Sequence, residues 1–143
     1  MMMEQEWLTA AADYEDGSKK IYSVRQHAPE GADPEEFSTV VVIEWIFDDE
    51  LPDAHLLKEM QAFEELLEPL DDGVEHFMVH IITGDGQREW CYYTRSYPSF
   101  IKQMNQLLAG RQHYPLDIEY QEHTDWEYWQ EILEYVSEGA KAD

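Results

Sequence analysis

The stretch "VEHFMVHIITGDGQREWCYYTR", residues 74–95, decides the fold. It holds His76, His80, Arg88, Arg95 and Cys91 beside Trp90, Tyr92 and Tyr93, so it reads either as an active site or as the wall of a sheet. Apolar and β-branched residues flank "GDG" at 84–86, whose residues tolerate positive φ, and the pattern predicts a β-hairpin closed by Asp85-Gly86. A two-residue turn sets Phe77, Val79 and Ile81 opposite Thr94, Tyr92 and Trp90 on one face. His76, Met78 and His80 then oppose Arg95, Tyr93 and Cys91 on the other, with Glu89 diagonal to His80.

The chemistry of this hairpin is weighed residue by residue. His76 and His80 lie four residues apart on one strand, roughly 13 Å, too far to share an ion. His80, Cys91 and Glu89 are the one trio that converges like a ligand set, and a half-buried sheet face is the preferred reading of it. A nucleophilic thiol needs an electropositive setting, whereas Cys91 sits between two bulky aromatics in an acidic chain, which predicts a buried, inert thiol. Arg88, Arg95 and Arg111, near Trp90, Tyr92, Tyr93 and Tyr97, can hold an anionic group or a partner's acidic loop. Neutralisation by the chain's own acidic segments is the preferred alternative.

Outward from the hairpin, "STVVVIEWIF" at 38–47 is apolar on both parities, with Val41, Ile43, Trp45 and Phe47 on one face and Val40, Val42 and Ile46 on the other. It reads as a central strand covered on both sides. "LPDAHLLKEMQAFEELLEPL" places Leu56, Met60, Phe63 and Leu67 at helical spacing, with Asp53 as N-cap and Pro69 near the end. "SYPSFIKQMNQLLAG" predicts a second helix capped by Ser96, with Phe100, Met104, Leu107 and Leu108 on one side and Gly110 as the stop. A strand at about 115–121 alternates Leu116, Ile118 and Tyr120 with Asp117, Glu119 and Gln121.

The middle of the chain is thus βαββαβ. The expected fold class is α+β, a ferredoxin-like antiparallel sheet with both helices on one face, within a single domain over residues 1–143. An added N-terminal hairpin turning at Asp16-Gly17 precedes it, followed by the polar loop "HAPEGADPEEF". A C-terminal helix follows, opened by a Thr124 to Glu127 capping box and carrying Trp126, Trp129, Leu133 and Val136 on one stripe. Either flanking piece can cover the second face of the central strand, and a homodimer through that face is the rival solution.

Composition bounds function. The chain has 143 residues, 43% hydrophobic and 13% aromatic, enough for a packed core despite 9 Lys+Arg against 32 Asp+Glu and a net charge of -23. That charge repels phosphate backbones and anionic lipid, so direct nucleic-acid and membrane-surface binding are not expected. It is uneven: residues 44–72 and 119–143 are strongly acidic, while bases outnumber acids between Gly86 and Ile118. One cysteine excludes an intramolecular disulfide and a Cys-rich zinc site and fits a reducing cytoplasm. The N-terminus lacks the basic and apolar regions of a secretory signal, and no apolar run approaches the ~20 residues of a membrane span.

No phosphate-binding glycine loop, nucleophile elbow, zinc-protease or calcium-loop motif is present, and paired acids such as Asp48-Asp49, Glu64-Glu65 and Asp71-Asp72 read as solvated faces. No catalytic, cofactor-binding or metal residue is assigned, and no cofactor is expected. Three features together resemble the bacterial family known as domain of unknown function 695: the Trp7 hairpin with Asp16-Gly17, "TGDGQREWCYYT" at 83–94, and "DWEYWQEIL" at 125–133. The resemblance spans most of the chain and implies a bacterial cytoplasmic domain; that family has no established reaction to carry over.

The expected function is a non-enzymatic interaction or regulatory module whose acidic first helix and tail dock a basic protein partner. The alternative is a small-ligand or enzymatic site on the 74–95 hairpin, and a salt-adapted proteome is a further source of the acidity. Candidate binding residues are Arg88, Trp90, Tyr92, His80 and Cys91 on the hairpin and Glu64, Glu65 and Glu68 on the first helix.

Overall fold

The computed structural model describes residues 7–13, 19–49, 51–111 and 113–142, which form an α+β fold of one six-stranded antiparallel sheet and three α-helices. Strands β1 (Trp7–Asp13) and β2 (Lys19–Arg25) form the N-terminal hairpin, and β3 (Thr39–Ile46) leads into α1 (Ala54–Leu66). Strands β4 (His76–Gly84) and β5 (Gln87–Thr94) form the second hairpin, followed by α2 (Tyr97–Leu108), β6 (Leu116–Gln121) and α3 (Glu127–Ala142). The sheet order is β1-β2-β4-β5-β3-β6, so β3 lies fifth, flanked by β5 and β6. The N-terminal strands pair from Trp7–Arg25 to Asp13–Lys19, and the turn expected at Asp16-Gly17 lies outside the described residues.

The second hairpin forms because Asp85 and Gly86 take φ of 56° and 84°, the pair of left-handed conformations that a two-residue turn between twisted strands requires. Gly84, at φ 147°, passes so close to β2 that a Cβ there would overlap the Lys19 carbonyl oxygen. From Gly84–Gln87 to His80–Cys91 the pairing is the expected one. It then slips at a bulge between Met78 and His80, so that Met78 faces Tyr92, Phe77 faces Tyr93 and His76 faces Thr94. The expected grouping of His76, Met78 and His80 on one face is therefore wrong. Strand β2 accompanies β4 only as far as Val24–His80. Beyond it the Asp71 carboxylate takes the Met78 N–H at 3.0 Å in place of a neighbouring strand.

Two apolar layers sandwich the sheet. On one side α1 and α2 bury Met60, Phe63, Phe100 and Met104 against Val41, Ile43, Trp45, Trp90 and Tyr92. On the other, Trp126, Trp129 and Val136 of the C-terminal segment lie on Val24, Phe77, Val79, Cys91 and Tyr93. The second face of β3 is covered only in part: Val40 and Val42 are half-buried at the margin of the tryptophan layer, and Ile46 at the strand end is 53% exposed.

Helix starts follow the sequence in two cases of three. Asp53 accepts the Leu56 N–H at 2.8 Å and Ser96 accepts the Ser99 N–H at 3.2 Å. The Thr124 capping box does not form: Thr124 is tied to the Ser38 carbonyl through both its N–H and its hydroxyl. Asp125 accepts the Glu127 N–H at 3.0 Å instead. Among the described residues, no helix is long and apolar enough to cross a membrane.

Candidate functional site

Alternation along β5 sends Arg88, Trp90 and Tyr92 toward α1 and α2, and Glu89, Cys91 and Tyr93 toward α3. The eight candidate residues consequently fall into two groups. Arg88, Trp90, Tyr92, Glu64, Glu65 and Glu68 share the α1 side, and His80 and Cys91 lie on the α3 side. The structure does not bring Arg88 and Trp90 together with His80 and Cys91, because the sheet lies between the two pairs.

On the α3 side, His80 Nε2 lies 2.7 Å from Glu89 Oε2, and the Tyr128 hydroxyl donates to the same oxygen at 2.6 Å. His80 and Cys91 are fully buried, and no group of three His, Cys, Asp or Glu among the described residues is placed to hold a metal. With Nε2 facing the carboxylate, His80 Nδ1 is buried without a hydrogen-bond partner among the described residues. Burial, reinforced by the Glu89 charge, pushes the Cys91 thiol well above its usual range, the opposite of what a nucleophile needs. His76, on the other face, is bonded to the Thr94 hydroxyl at 2.8 Å and to Gln103 at 2.9 Å.

Burial would raise the Glu89 carboxyl, but the hydrogen bond and charge of His80 and the bond from Tyr128 outweigh it and leave the group below its usual value. A depressed carboxylate stabilises the fold above its unfolded pKa of about 4.3, and this is lost as pH falls through the lower folded value. Glu89→Gln is expected to lose about 1–3 kcal/mol at neutral pH. Urea midpoints measured from pH 6 down to pH 3 should show the gap between wild type and variant closing at the acidic end.

On the α1 side, Glu64 Oε1 collects three donors: Arg88 Nε at 2.9 Å, Arg88 Nη2 at 2.6 Å and Trp90 Nε1 at 2.8 Å. Arg88 Nη1 donates to the Thr83 hydroxyl at 2.6 Å, which fixes the fork on three sides. Arg95 lies 3.3 Å from Glu36 and over the Phe37 ring at 4.5 Å, and Arg111 is exposed beyond α2. Internal neutralisation therefore describes Arg88 and Arg95.

Beside this knot lies a cleft of about 530 Å³ between the N-terminal hairpin, α1 and the β4–β5 hairpin. Carboxylates of Glu64, Glu65, Glu68 and Asp71 line it together with Tyr92, and Trp7, Leu67, Met78 and Ile81 supply apolar wall. Asp71 is raised above its usual value by burial, partly offset by the Met78 N–H and by Arg25, 3.4 Å away. The sequence reading found the glutamates and Tyr92 but missed Asp71 and Trp7 as part of the same cleft.

The model of a family of unknown function, DUF695, matches residues 5–134. No curated protein matches the chain.

Proposed function

The chain belongs to the family of unknown function DUF695, and on that footing we propose that it is a non-enzymatic, acidic interaction module that docks the basic surface of a protein partner in the cytoplasm. The observation that carries this reading is the state of Glu65 and Glu68. Both are exposed at the cleft, and neither has an ion pair to a described residue. By contrast, the neighbouring Glu64 and Asp71 are matched to Arg88 and Arg25. Exposed, unmatched carboxylates on one wall, within a chain of net charge -23, steer a cationic surface toward that wall. The burial of His80 and Cys91, which gives neither a route to a substrate, supports the non-enzymatic side of the reading.

The order β6-β3-β5-β4, with α1 and α2 packed on one face, supports reading that part of the chain as a ferredoxin-like unit extended at β4 by the β1–β2 hairpin. In that arrangement the added hairpin has a role, because it forms the outer wall of the cleft.

The test is affinity capture from the native host at about 50 mM and about 500 mM salt. The wild-type chain is compared with a Glu65→Gln/Glu68→Gln variant. A basic protein retained at low salt, released at high salt and retained several-fold less by the variant is the expected result. Capture of no basic protein, or of one indifferent to both salt and the substitutions, rejects the reading.

A further inference from the structure

We infer that the cleft walled by Glu64, Glu65, Glu68 and Asp71 is a binding site for one organic cation, an ammonium or guanidinium group at the end of an apolar stem. This deepens the proposed docking of a basic surface by naming the group that is held, and it rests on that reading only for where the cation comes from.

The first observation is Tyr92. Its ring is held by Phe100 at a centroid distance of 5.0 Å, and the residue is only 3% exposed. Yet the residue lines the cleft, and its hydroxyl makes no hydrogen bond to a described residue. Buried tyrosine hydroxyls ordinarily find a partner, and one left open toward a cavity marks a place where a ligand atom completes the bond. Burial, reinforced by the nearby Asp71 and Glu64 charges, disfavours the phenolate, so the hydroxyl meets a ligand as a neutral oxygen.

The second observation is the sign and spacing of the polar groups. Ammonium and guanidinium groups are donors only, and every polar side chain just named is an acceptor or can act as one. Glu64 spends Oε1 on Arg88 and Trp90, while Oε2 takes no bond from a described residue. A bare metal ion does not suit the site, because no three acidic, histidine or cysteine side chains among the described residues converge closely enough to ligate one. Charge borne on N–H groups tolerates such spacing, since each N–H bonds a different carboxylate.

The third observation is the wall. Met78, Ile81 and Leu67 offer apolar surface in the same cleft as the carboxylates, and Trp7 stands on the hairpin side. This combination suits an alkyl stem with a charged tip. At about 530 Å³ the cleft is the size of a small-ligand pocket.

Two sources carry this chemistry, a free alkyl amine and the arginine or lysine side chain of a partner. Calorimetric titration of the full chain distinguishes them with agmatine, with an acetylated and amidated Gly-Gly-Arg-Gly-Gly peptide, and with neutral pentanol as control. Agmatine, the peptide or both are expected to bind saturably with one site and Kd on the order of 0.1–1 mM, with no binding of pentanol. Tyr92→Phe should weaken that binding about tenfold while leaving thermal stability unchanged, because the hydroxyl it deletes has no hydrogen-bond partner among the described residues.

A peptide that binds at least as well as agmatine identifies a protein side chain as the source, and agmatine binding with the peptide excluded identifies a free amine. Absence of binding by both cations, equal binding of pentanol, or a Tyr92→Phe variant that binds as well as wild type overturns the inference. Its failure is separate from that of the docking role. Salt-sensitive capture of a basic protein that Tyr92→Phe does not disturb leaves docking in place and removes the cleft as its site. Amine binding without any such capture does the reverse.

Discussion

Truncating Trp129 to alanine is expected to lower the unfolding free energy by about 3–5 kcal/mol. The side chain is 4% exposed and touches Phe77, Tyr93 and Trp126, with ring centroids 5.8, 6.4 and 5.4 Å away. Its indole N–H also donates to the Arg25 carbonyl at 2.7 Å, joining α3 to the end of β2. Alanine removes a buried aromatic worth roughly 200 Å² of apolar surface, about 5 kcal/mol of transfer free energy, and leaves the carbonyl without its donor. Urea unfolding followed by circular dichroism checks the stability. Because α3 then holds the second sheet face less firmly, size-exclusion chromatography should show concentration-dependent association. A loss below about 1 kcal/mol would mean that α3 is not the main cover of that face.

The second large effect is expected at Glu64. Glu64→Ala takes the shared acceptor away from both Arg88 and Trp90, leaving a guanidinium whose side chain is 13% exposed without its counter-charge. The expected loss is about 2–4 kcal/mol, below the value for a fully buried pair because Glu64 itself is 24% exposed. Pairing the change with Arg88→Met should recover part of it, since the stranded charge and not the missing carboxylate is the dominant penalty. A double-mutant cycle in urea checks this, and additive losses would show that the two side chains do not act as a unit.

The sequence made legible what depends on neighbours along the chain. The Asp85-Gly86 turn, the Asp53 and Ser96 caps and the helical stripe of Trp126, Trp129 and Val136 all arise from contacts within a few residues, and all are present. What depends on distant segments was read less well. Thr124 is a good cap in isolation, yet its hydroxyl goes to Ser38, 86 positions away, so tertiary pairing overrides the local motif. Asp71 looked like a solvated acid beside Asp72. Its role emerges only because the pairing of β2 with β4 stops at Val24 and leaves the Met78 N–H in need of an acceptor.

The candidate site was legible as residue types and not as a place. Glu64, Glu65, Glu68 and Tyr92 stood out for charge and for aromatic neighbours, but the cleft also draws on Trp7 and Ser23 from the first hairpin. No periodicity joins segments so far apart. His80 and Cys91 stood out for reactivity, and the same alternation that buries Cys91 places both on the face opposite the α1 glutamates.

The bulge at Val79 works as a parity switch. To its C-terminal side, odd-numbered residues of β4 such as Ile81 look toward the acidic helix, and to its N-terminal side the even-numbered His76 and Met78 do. Removing Val79 would make Met78–Tyr92 and His80–Cys91 consecutive pairs, so Phe77 would stay in the tryptophan layer and His76 on the opposite face. The bulge thus stores one residue of spare length between Asp71 and His80, which descendants of this sequence can lose at that point without moving a side chain across the sheet, whereas a one-residue change elsewhere in β4 with the bulge kept would reverse every side chain beyond it.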